Sequence, residues 1–352
     1  MRLSEKIALP LLHKLDPERA HDVAHWFLQK GLAPSPGIFS TPRIATELAG
    51  LSLPNPIGLA AGFDKNATSM NALSRAGFGF LELGAVTPRA QPGNRKPRLF
   101  RLSEDRAAIN RFGFNNDGME AVAERLRSRP KNLPIGLNLG ANKDSEHRNV
   151  DYIEVMEACG PLVDFVTINV SSPNTAQLRN LQQREALQNL AEGAVRTRDS
   201  FEKPIPVFLK IAPDLEDEEI AQIAQAAQHA RVDAIIATNT TIQRESLTSP
   251  DAIQKGGLSG APLFAASTRV LAKLYSETSG KIPLIGVGGI STAKEALMKI
   301  EAGASAIQLY TALIYQGLSL GDRIARELDQ ILADQGIHHL SQIVGKKHKD
   351  YL

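Results

Sequence analysis

Beyond residue 54 the chain alternates between two hydrophobic rhythms. Short, nearly continuous apolar runs occupy Ile57–Phe63, Phe80–Ala85, Ile135–Leu139, Phe165–Asn169, Val207–Lys210, Ala234–Thr238, Leu284–Gly288 and Ala306–Tyr310. Runs of that length without strict polar alternation read as strands covered on both faces. Most lead into a loop carrying Gly, Asn or Thr. Apolar residues at helical spacing then follow, over 67–77, 117–129, 149–160, 183–200, 217–230, 262–278, 292–301 and 319–335. Eight strand–helix pairs of this kind predict an α/β protein closed into a (β/α)8 TIM barrel. A doubly wound open sheet is the topological alternative. Residues 98–112 interrupt the alternation with two short apolar stretches around a polar turn, which predicts a hairpin or lid over the barrel mouth.

Residues 1–37 follow a different pattern. Ile7, Ala8, Leu11, Leu12 and Leu15 make one short amphipathic helix. Asp16-Pro17 supplies an N-cap and a first-turn proline for a second, whose stripe is Ala20, Val23, Ala24, Phe27 and Leu28 and which Gly31 ends. Trp26 sits beside that stripe. Two readings stay open: a helical cap packed on the barrel, or a helix pair lying at a bilayer surface and admitting a lipid-soluble partner. The expected divisions are 1–37, 38–340 for the barrel and 341–352 for a tail, with Gly345–Leu352 a solvated terminus.

Composition narrows the classes. Apolar residues are 43% and charged residues 22%, enough for a large core. A net charge of +2 argues against an electrostatic grip on nucleic acid. The single cysteine, Cys159, excludes an intramolecular disulfide framework and cysteine-ligated metal clusters. No apolar run is long enough to cross a bilayer, and the first residues do not read as a secretory signal.

In a barrel the C-terminal strand ends converge on one face, so polar residues there meet in space. The candidates are Asp64-Lys65-Asn66, Thr87, Asn138, the Asn169–Asn174 segment, Lys210, Thr238–Thr241, Gly288-Gly289 and Tyr310-Thr311. Gly286-Val-Gly-Gly289, followed by Ser291 as a natural N-cap, places free amides where the fold customarily holds a phosphate. No Walker loop occurs and no Gly-x-Gly-x-x-Gly follows the first strand. His21 and His25 are four apart but read as ordinary packing or solvation, and no other histidines have ligand spacing, so no metal is expected. A set rich in Asn, Lys, Ser and Thr suits a planar, carboxylate-bearing substrate held against a redox cofactor.

The motifs Gly58-Leu-Ala-Ala-Gly-Phe-Asp-Lys-Asn66, Gln91-Pro-Gly-Asn-Arg-Lys-Pro-Arg-Leu-Phe-Arg101, Asn110-Arg-Phe-Gly-Phe-Asn-Asn116 and Asn169-Val-Ser-Ser-Pro-Asn-Thr175 recur in order. Lys210-Ile-Ala-Pro-Asp-Leu215, Thr238-Asn-Thr-Thr241, Gly256-Gly-Leu-Ser-Gly260 and Gly286-Val-Gly-Gly-Ile290 continue them. Together they resemble the class 2, quinone-dependent, membrane-associated dihydroorotate dehydrogenases over nearly the whole chain. The resemblance implies oxidation of dihydroorotate to orotate in pyrimidine synthesis, with one non-covalent FMN passing electrons to a membrane quinone. Ser172 would be the general base for the substrate C5 proton, where cysteine-based classes carry Cys. Cys159 is then left as a buried structural residue.

By the same resemblance Lys65, Asn110, Arg111, Phe112, Gly113, Phe114, Asn115, Asn169, Asn174, Asn239 and Thr240 would hold the substrate. FMN would be lined by Ala60, Ala61, Gly62, Phe63, Asp64, Lys65, Ala85, Asn138, Asn169, Lys210, Thr238, Gly260, Gly289, Tyr310 and Thr311. The N-terminal helices would form a quinone funnel near Arg101 and Tyr310. The protein would be a monomer, peripheral on the cytoplasmic face of the cell membrane, binding no nucleic acid. Ala85 stands where the family pattern has threonine, Phe63 where it has leucine, and Ala176-Gln177 where it has Pro-Gly. Another FMN-dependent barrel, such as a dihydropyrimidine or dihydrouridine reductase, is the competing enzyme class. A non-catalytic phosphate-binding scaffold at the membrane is the competing class outside enzymes.

Overall fold

The computed structural model describes residues 2–171 and 184–352. Two helices come first, α1 (Leu3–Leu12) and α2 (Pro17–Gln29). Asp16 caps α2 by accepting from the Glu18 and Arg19 amides, both at 3.1 Å, as its sequence position predicts. A small hairpin, β1 (Thr46–Leu48) and β2 (Leu51–Leu53), precedes the barrel.

Eight parallel strands then close on themselves: β3 (Ile57–Leu59), β4 (Phe80–Val86), β7 (Ile135–Leu139), β8 (Phe165–Asn169), β9 (Val207–Ile211), β10 (Ala234–Ala237), β12 (Leu284–Val287) and β13 (Ala304–Leu309). Closure settles the choice against an open sheet. Between them lie α3 (Met70–Leu73), α4 (Met119–Leu126), α5 (Arg148–Cys159), α6 (Arg184–Asp199), α7 (Asp217–Ala230), α8 (Phe264–Glu277) and α9 (Ala293–Glu301). After β13 come a short α10 (Thr311–Gln316) and α11 (Leu320–Asp334).

The predicted lid is a hairpin, β5 (Leu99–Leu102) and β6 (Ala107–Asn110), and it gains a third strand. β11 (Gly257–Gly260) pairs antiparallel with β6, from Gly257 opposite Asn110 to Gly260 opposite Ala107. The Gly-rich segment 256–260 lacks the apolar alternation that marks a strand, so its pairing is decided by the hairpin edge beside it.

Two apolar layers hold the barrel. The outer layer joins outward strand residues such as Leu81, Leu83, Leu137 and Ile168 to the helices. The inner one consists of Phe80, Phe165, Phe208, Ile236 and Ile285, closed at the N-terminal end by Leu48 and Leu53 of the β1–β2 hairpin. Cys159 is buried, its thiol pushed up to about 12 by burial, as suits a structural residue.

The chain end is a correction. Residues 345–352 are docked, not free: the Gly345 amide donates to Ile300 O at 3.0 Å, Lys347 pairs with Glu301 at 2.7 Å, and the His348 ring lies against Tyr275. The basic composition of this segment masks its fit to the α8–α9 surface.

Candidate active site

Strand periodicity of two stacks side chains in layers inside the barrel. Phe80, Phe165 and Phe208 form the floor, with the Phe165 and Phe208 rings stacked at 4.7 Å. Two residues further along the same faces the chain turns polar: Glu82 on β4, Thr167 on β8 and Lys210 on β9, joined by Asn138 on β7 and Gln308 on β13. Glu82 is fully buried and accepts from Asn138 Nδ2 at 2.6 Å and Gln308 Nε2 at 2.5 Å. Asn138 Oδ1 accepts from Asn169 Nδ2 at 2.9 Å. Asn169 Oδ1 in turn accepts from Ser171 Oγ at 3.2 Å and Asn239 Nδ2 at 3.3 Å. One chain of hydrogen bonds therefore fixes side chains from β4, β7, β8, β13 and the loop after β10.

Above this layer opens a cavity of about 850 Å³, within the usual range of ligand pockets. Its barrel end is walled by Lys65, Asn110, Phe112, Asn169, Lys210 and Asn239, and its other end by apolar side chains of α1 and α2, including Ala8, Leu12, Val23 and Phe27. The Lys65 ammonium lies 4.2 Å over the Phe112 ring, and burial lowers its pKa to about 8 despite the opposing charge of Glu18. The Lys210 ammonium makes no hydrogen bond to a described residue; burial pushes its pKa down while Glu82 pushes it up. Buried side-chain atoms without partners include Gln308 Oε1, Thr240 Oγ1 and Asn115 Oδ1. Cations and acceptors left unpaired in this way are suited to a ligand.

The helices are pinned over the mouth by acids. Glu18 receives the Arg98 guanidinium at 2.8 Å and Lys96 at 3.2 Å. Burial alone would raise its carboxyl, but hydrogen bonds and charge from these two cations hold it below its ordinary value. Glu5 accepts from the Ser319 amide at 2.8 Å and from the Ser319 hydroxyl. Arg101 donates to His13 O at 2.9 Å, leaving its Nε buried and unpaired. Tyr310, beside it in the cavity wall, donates to Gly62 O at 3.1 Å.

Most residues expected from the sequence meet here. Ala60, Ala61, Gly62, Phe63, Lys65, Ala85, Asn110, Phe112, Gly113, Phe114, Asn138, Asn169, Lys210, Thr238, Asn239, Thr240, Gly260, Gly289, Tyr310 and Thr311 all line the cavity, as does Arg101. Asp64 does not: its carboxylate is spent on the Thr68 and Ser69 amides, at 3.0 and 2.8 Å, and shapes the turn that presents Lys65. Arg111 also points elsewhere, to Gln254 Oε1 and Lys255 O, with its guanidinium over the Phe100 ring. Asn115 does not line the cavity; it is half-buried, with its Oδ1 buried. Ser172, Asn174 and the Ala176-Gln177 pair lie outside the described residues.

The phosphate loop needs one correction. Thr292, not Ser291, caps α9, and the Ser291 amide is already taken by Glu295 Oε2 at 2.7 Å. The anion-binding expectation therefore falls on Gly288 and Gly289, both at positive φ. A Cβ at Gly289 would lie 2.5 Å from Phe264.

Sequence reasoning missed Glu82, Gln308 and His21. The first two carried a signal, since a charged or amide side chain in a strand buried on both faces must have a partner. His21 was read as packed or solvated; it lines the cavity with its ring 5.5 Å from Phe63. Burial, then the charges of Lys65 and His25, push its pKa well down, so it is neutral at pH 7. His25 is a packing residue as expected, bonded to Ser69 Oγ and Phe63 O. No cluster of His, Cys, Asp or Glu able to hold a metal occurs among the described residues.

The geometry of barrel mouth and roof can be set beside known proteins. The family model for dihydroorotate dehydrogenase matches residues 43–332. The chain belongs to the dihydroorotate dehydrogenase family. It is 57% identical to a dihydroorotate dehydrogenase (quinone) of Cereibacter sphaeroides, with all of both chains covered. A second, from Rhodospirillum rubrum, is 49% identical over 98% of this chain and 95% of its own. The crystal structure of the dihydroorotate dehydrogenase of Eimeria tenella in complex with ferulenol superposes with a TM-score of 0.91 at 40% identity, covering 95% of this chain and 96% of that one. The chain thus falls with quinone-dependent members of the dihydroorotate dehydrogenase family. Membership implies FMN, and Lys65, Lys210 and the unpaired Gln308 Oε1 and Thr240 Oγ1 of the cavity wall are a donor and acceptor set that fits such a group.

Proposed function

We propose that the protein oxidises (S)-dihydroorotate to orotate at the barrel mouth and that a membrane quinone, entering between α1 and α2, takes the electrons through FMN. One observation carries this reading: a single cavity is cationic and amide-rich at the barrel end and apolar at the helical end. A charged pyrimidine and a lipid-soluble quinone need those two environments and one shared centre.

Lys65 offsets the substrate carboxylate, and its stance over Phe112 keeps the ammonium partly desolvated, which strengthens that pairing. Asn110, Asn169 and Asn239 offer both donors and acceptors to the ring amides and carbonyls, with Thr240 and Asn174 completing the set. Ser172 takes the C5 proton. A serine is a weak base at its free pKa, so its action depends on the electron-accepting cofactor and on a path that carries the proton away. Bound FMN would accept the C6 hydride and carry the electron pair to the quinone.

Lys210 holds positive charge where electron density builds on that group. Gly289, Gly260, Tyr310 and Thr311 would hold its phosphate, and Ala60, Ala61, Gly62, Phe63, Ala85, Asn138 and Thr238 would line its ring. The Ala85 methyl removes one hydroxyl from that wall. Arg101, His21 and Tyr310 face the quinone head. The outward apolar residues of α1, with Leu3, Ile7 and Leu11 all at least 60% exposed, rest in the lipid surface on its cytoplasmic side, and the protein acts as a monomer. No described helix is long and apolar enough to cross a membrane.

The test is oxidation of dihydroorotate by the purified flavoprotein, comparing a short-chain quinone with fumarate and NAD⁺. Turnover with quinone alone is the expected result. Folded, flavin-loaded protein that dihydroorotate cannot reduce would overturn the substrate assignment, and preference for fumarate or NAD⁺ would overturn the quinone.

A further inference from the structure

Under the cavity lies a carboxylate with no ion pair among the described residues. Glu82 is fully buried, and each of its oxygens takes one amide N–H, from Asn138 and from Gln308. An ionised carboxylate can only accept, so both amides must turn their NH₂ groups toward it. That requirement decides where the two amide oxygens go. Asn138 Oδ1 accepts from Asn169 at 2.9 Å. Gln308 Oε1 is buried with no partner, on a residue that lines the cavity. A buried acceptor left unmade is costly unless a ligand completes it.

We propose that Glu82 is a positioning residue for the flavin: by holding the Gln308 amide through its N–H, it leaves the Gln308 carbonyl oxygen as an acceptor for a ring N–H of the bound cofactor. This rests on the FMN reading above. An oxidised isoalloxazine carries one such N–H, at N3, so Gln308 recognises the pyrimidine edge of the ring system. Glu82 acts through Gln308 and Asn138 and touches neither substrate nor cofactor.

The test uses holoprotein equilibrated with an equimolar excess of FMN and 3-methyl-FMN, in which a methyl group replaces that N–H. The bound ratio is read after rapid desalting. Wild type selects FMN by about tenfold, the scale of one buried hydrogen bond. In Glu82→Gln one amide is forced to turn its carbonyl round, and the selection falls below about twofold. Gln308→Leu gives the same loss while leaving Glu82 in place, so the question stays answerable where Glu82→Gln fails to fold. A purely structural role would lower the affinity for both flavins and leave their ratio unchanged. Equal binding of the two flavins by wild type, or full selection retained in either variant, overturns the proposal. Wild type that holds neither flavin overturns the FMN reading beneath it.

Discussion

The barrel mouth and the helical roof enclose one cavity, but they are held in opposite ways. At the mouth most of the networked polar side chains stand on strands buried on both faces, and the chain Gln308–Glu82–Asn138–Asn169–Asn239 ties five segments together. The roof has little core of its own. Among the described contacts it is fastened by point attachments: Glu18 to Arg98, Glu5 to Ser319, His13 to Ile314 O at 2.9 Å, and His25 to Ser69 and Phe63. Its outer face stays apolar and exposed at Leu3, Ile7, Leu11 and Trp26. The mouth is built to hold reacting groups still, whereas the roof, on the function proposed above, meets lipid and gives access. A local opening of the roof leaves the mouth intact.

Substitutions can break that separation, and the largest effect belongs to the mouth. Ser172→Ala slows flavin reduction by dihydroorotate by about 10²–10⁴, while reoxidation by quinone is unchanged in stopped-flow traces. Loss of both half-reactions together would mean that mouth and roof are not separate.

Lys65→Met weakens dihydroorotate about a hundredfold, the scale of a desolvated charge pair. It also raises the thermal midpoint at pH 7, because a buried ammonium is removed. The folded pKa of about 8 lies below the ordinary 10.5, so between those values the unfolded chain binds the extra proton and stability rises with pH. The gap in midpoint between wild type and Lys65→Met therefore narrows as the pH is raised through that window. Over the same range the free protein loses affinity for the substrate carboxylate, which a fluorescence titration follows.

Glu18→Gln tests the roof. Breaking half of a buried ion pair costs about 3–5 kcal/mol, here spent locally on the seat of α2. Quinone turnover falls more than about tenfold while dihydroorotate still reduces the flavin within about twofold of wild type. The Glu18 carboxyl is held below its ordinary 4.5, so its pin is fully present above that value and is lost as pH falls through the lower folded one. Quinone turnover should accordingly fail in acid before flavin reduction does. The smallest effect is at the outer surface: Ile7→Ser with Leu11→Ser lowers partition onto lipid vesicles about tenfold and leaves turnover with a short-chain quinone in detergent unchanged.

Legibility differed between these regions for a physical reason. The eight barrel strands and the helices from α4 to α9, with α11, were readable because burial on both faces and helical amphipathicity leave periodic marks. The Asp16 cap was readable because it is local. The predicted helix over 67–77 shrinks to Met70–Leu73, since Asp64 claims the Thr68 and Ser69 amides for a turn. β11 was invisible, because Gly257–Gly260 becomes a strand only through the edge that β6 offers it. Asp64 looked functional by its neighbourhood to Lys65, and only its hydrogen bonds separate the two.

The order of apolar runs in the sequence indicated eight strand–helix pairs, and the strand-end motifs carried the resemblance to the family and a set of lysines and asparagines at strand ends. The first follows from periodicity and the second from the order of motifs, both of which are properties of consecutive residues. Tertiary structure alone decided that α1 and α2 roof that same end, so that one cavity has a polar and an apolar half. It alone decided that Glu82 shares a layer with Lys210, Asn138 and Gln308 and dictates the sense of two amides. Such facts depend on which strands become neighbours when the barrel closes and on which charges are then removed from water. No stretch of sequence read along its own length contains them.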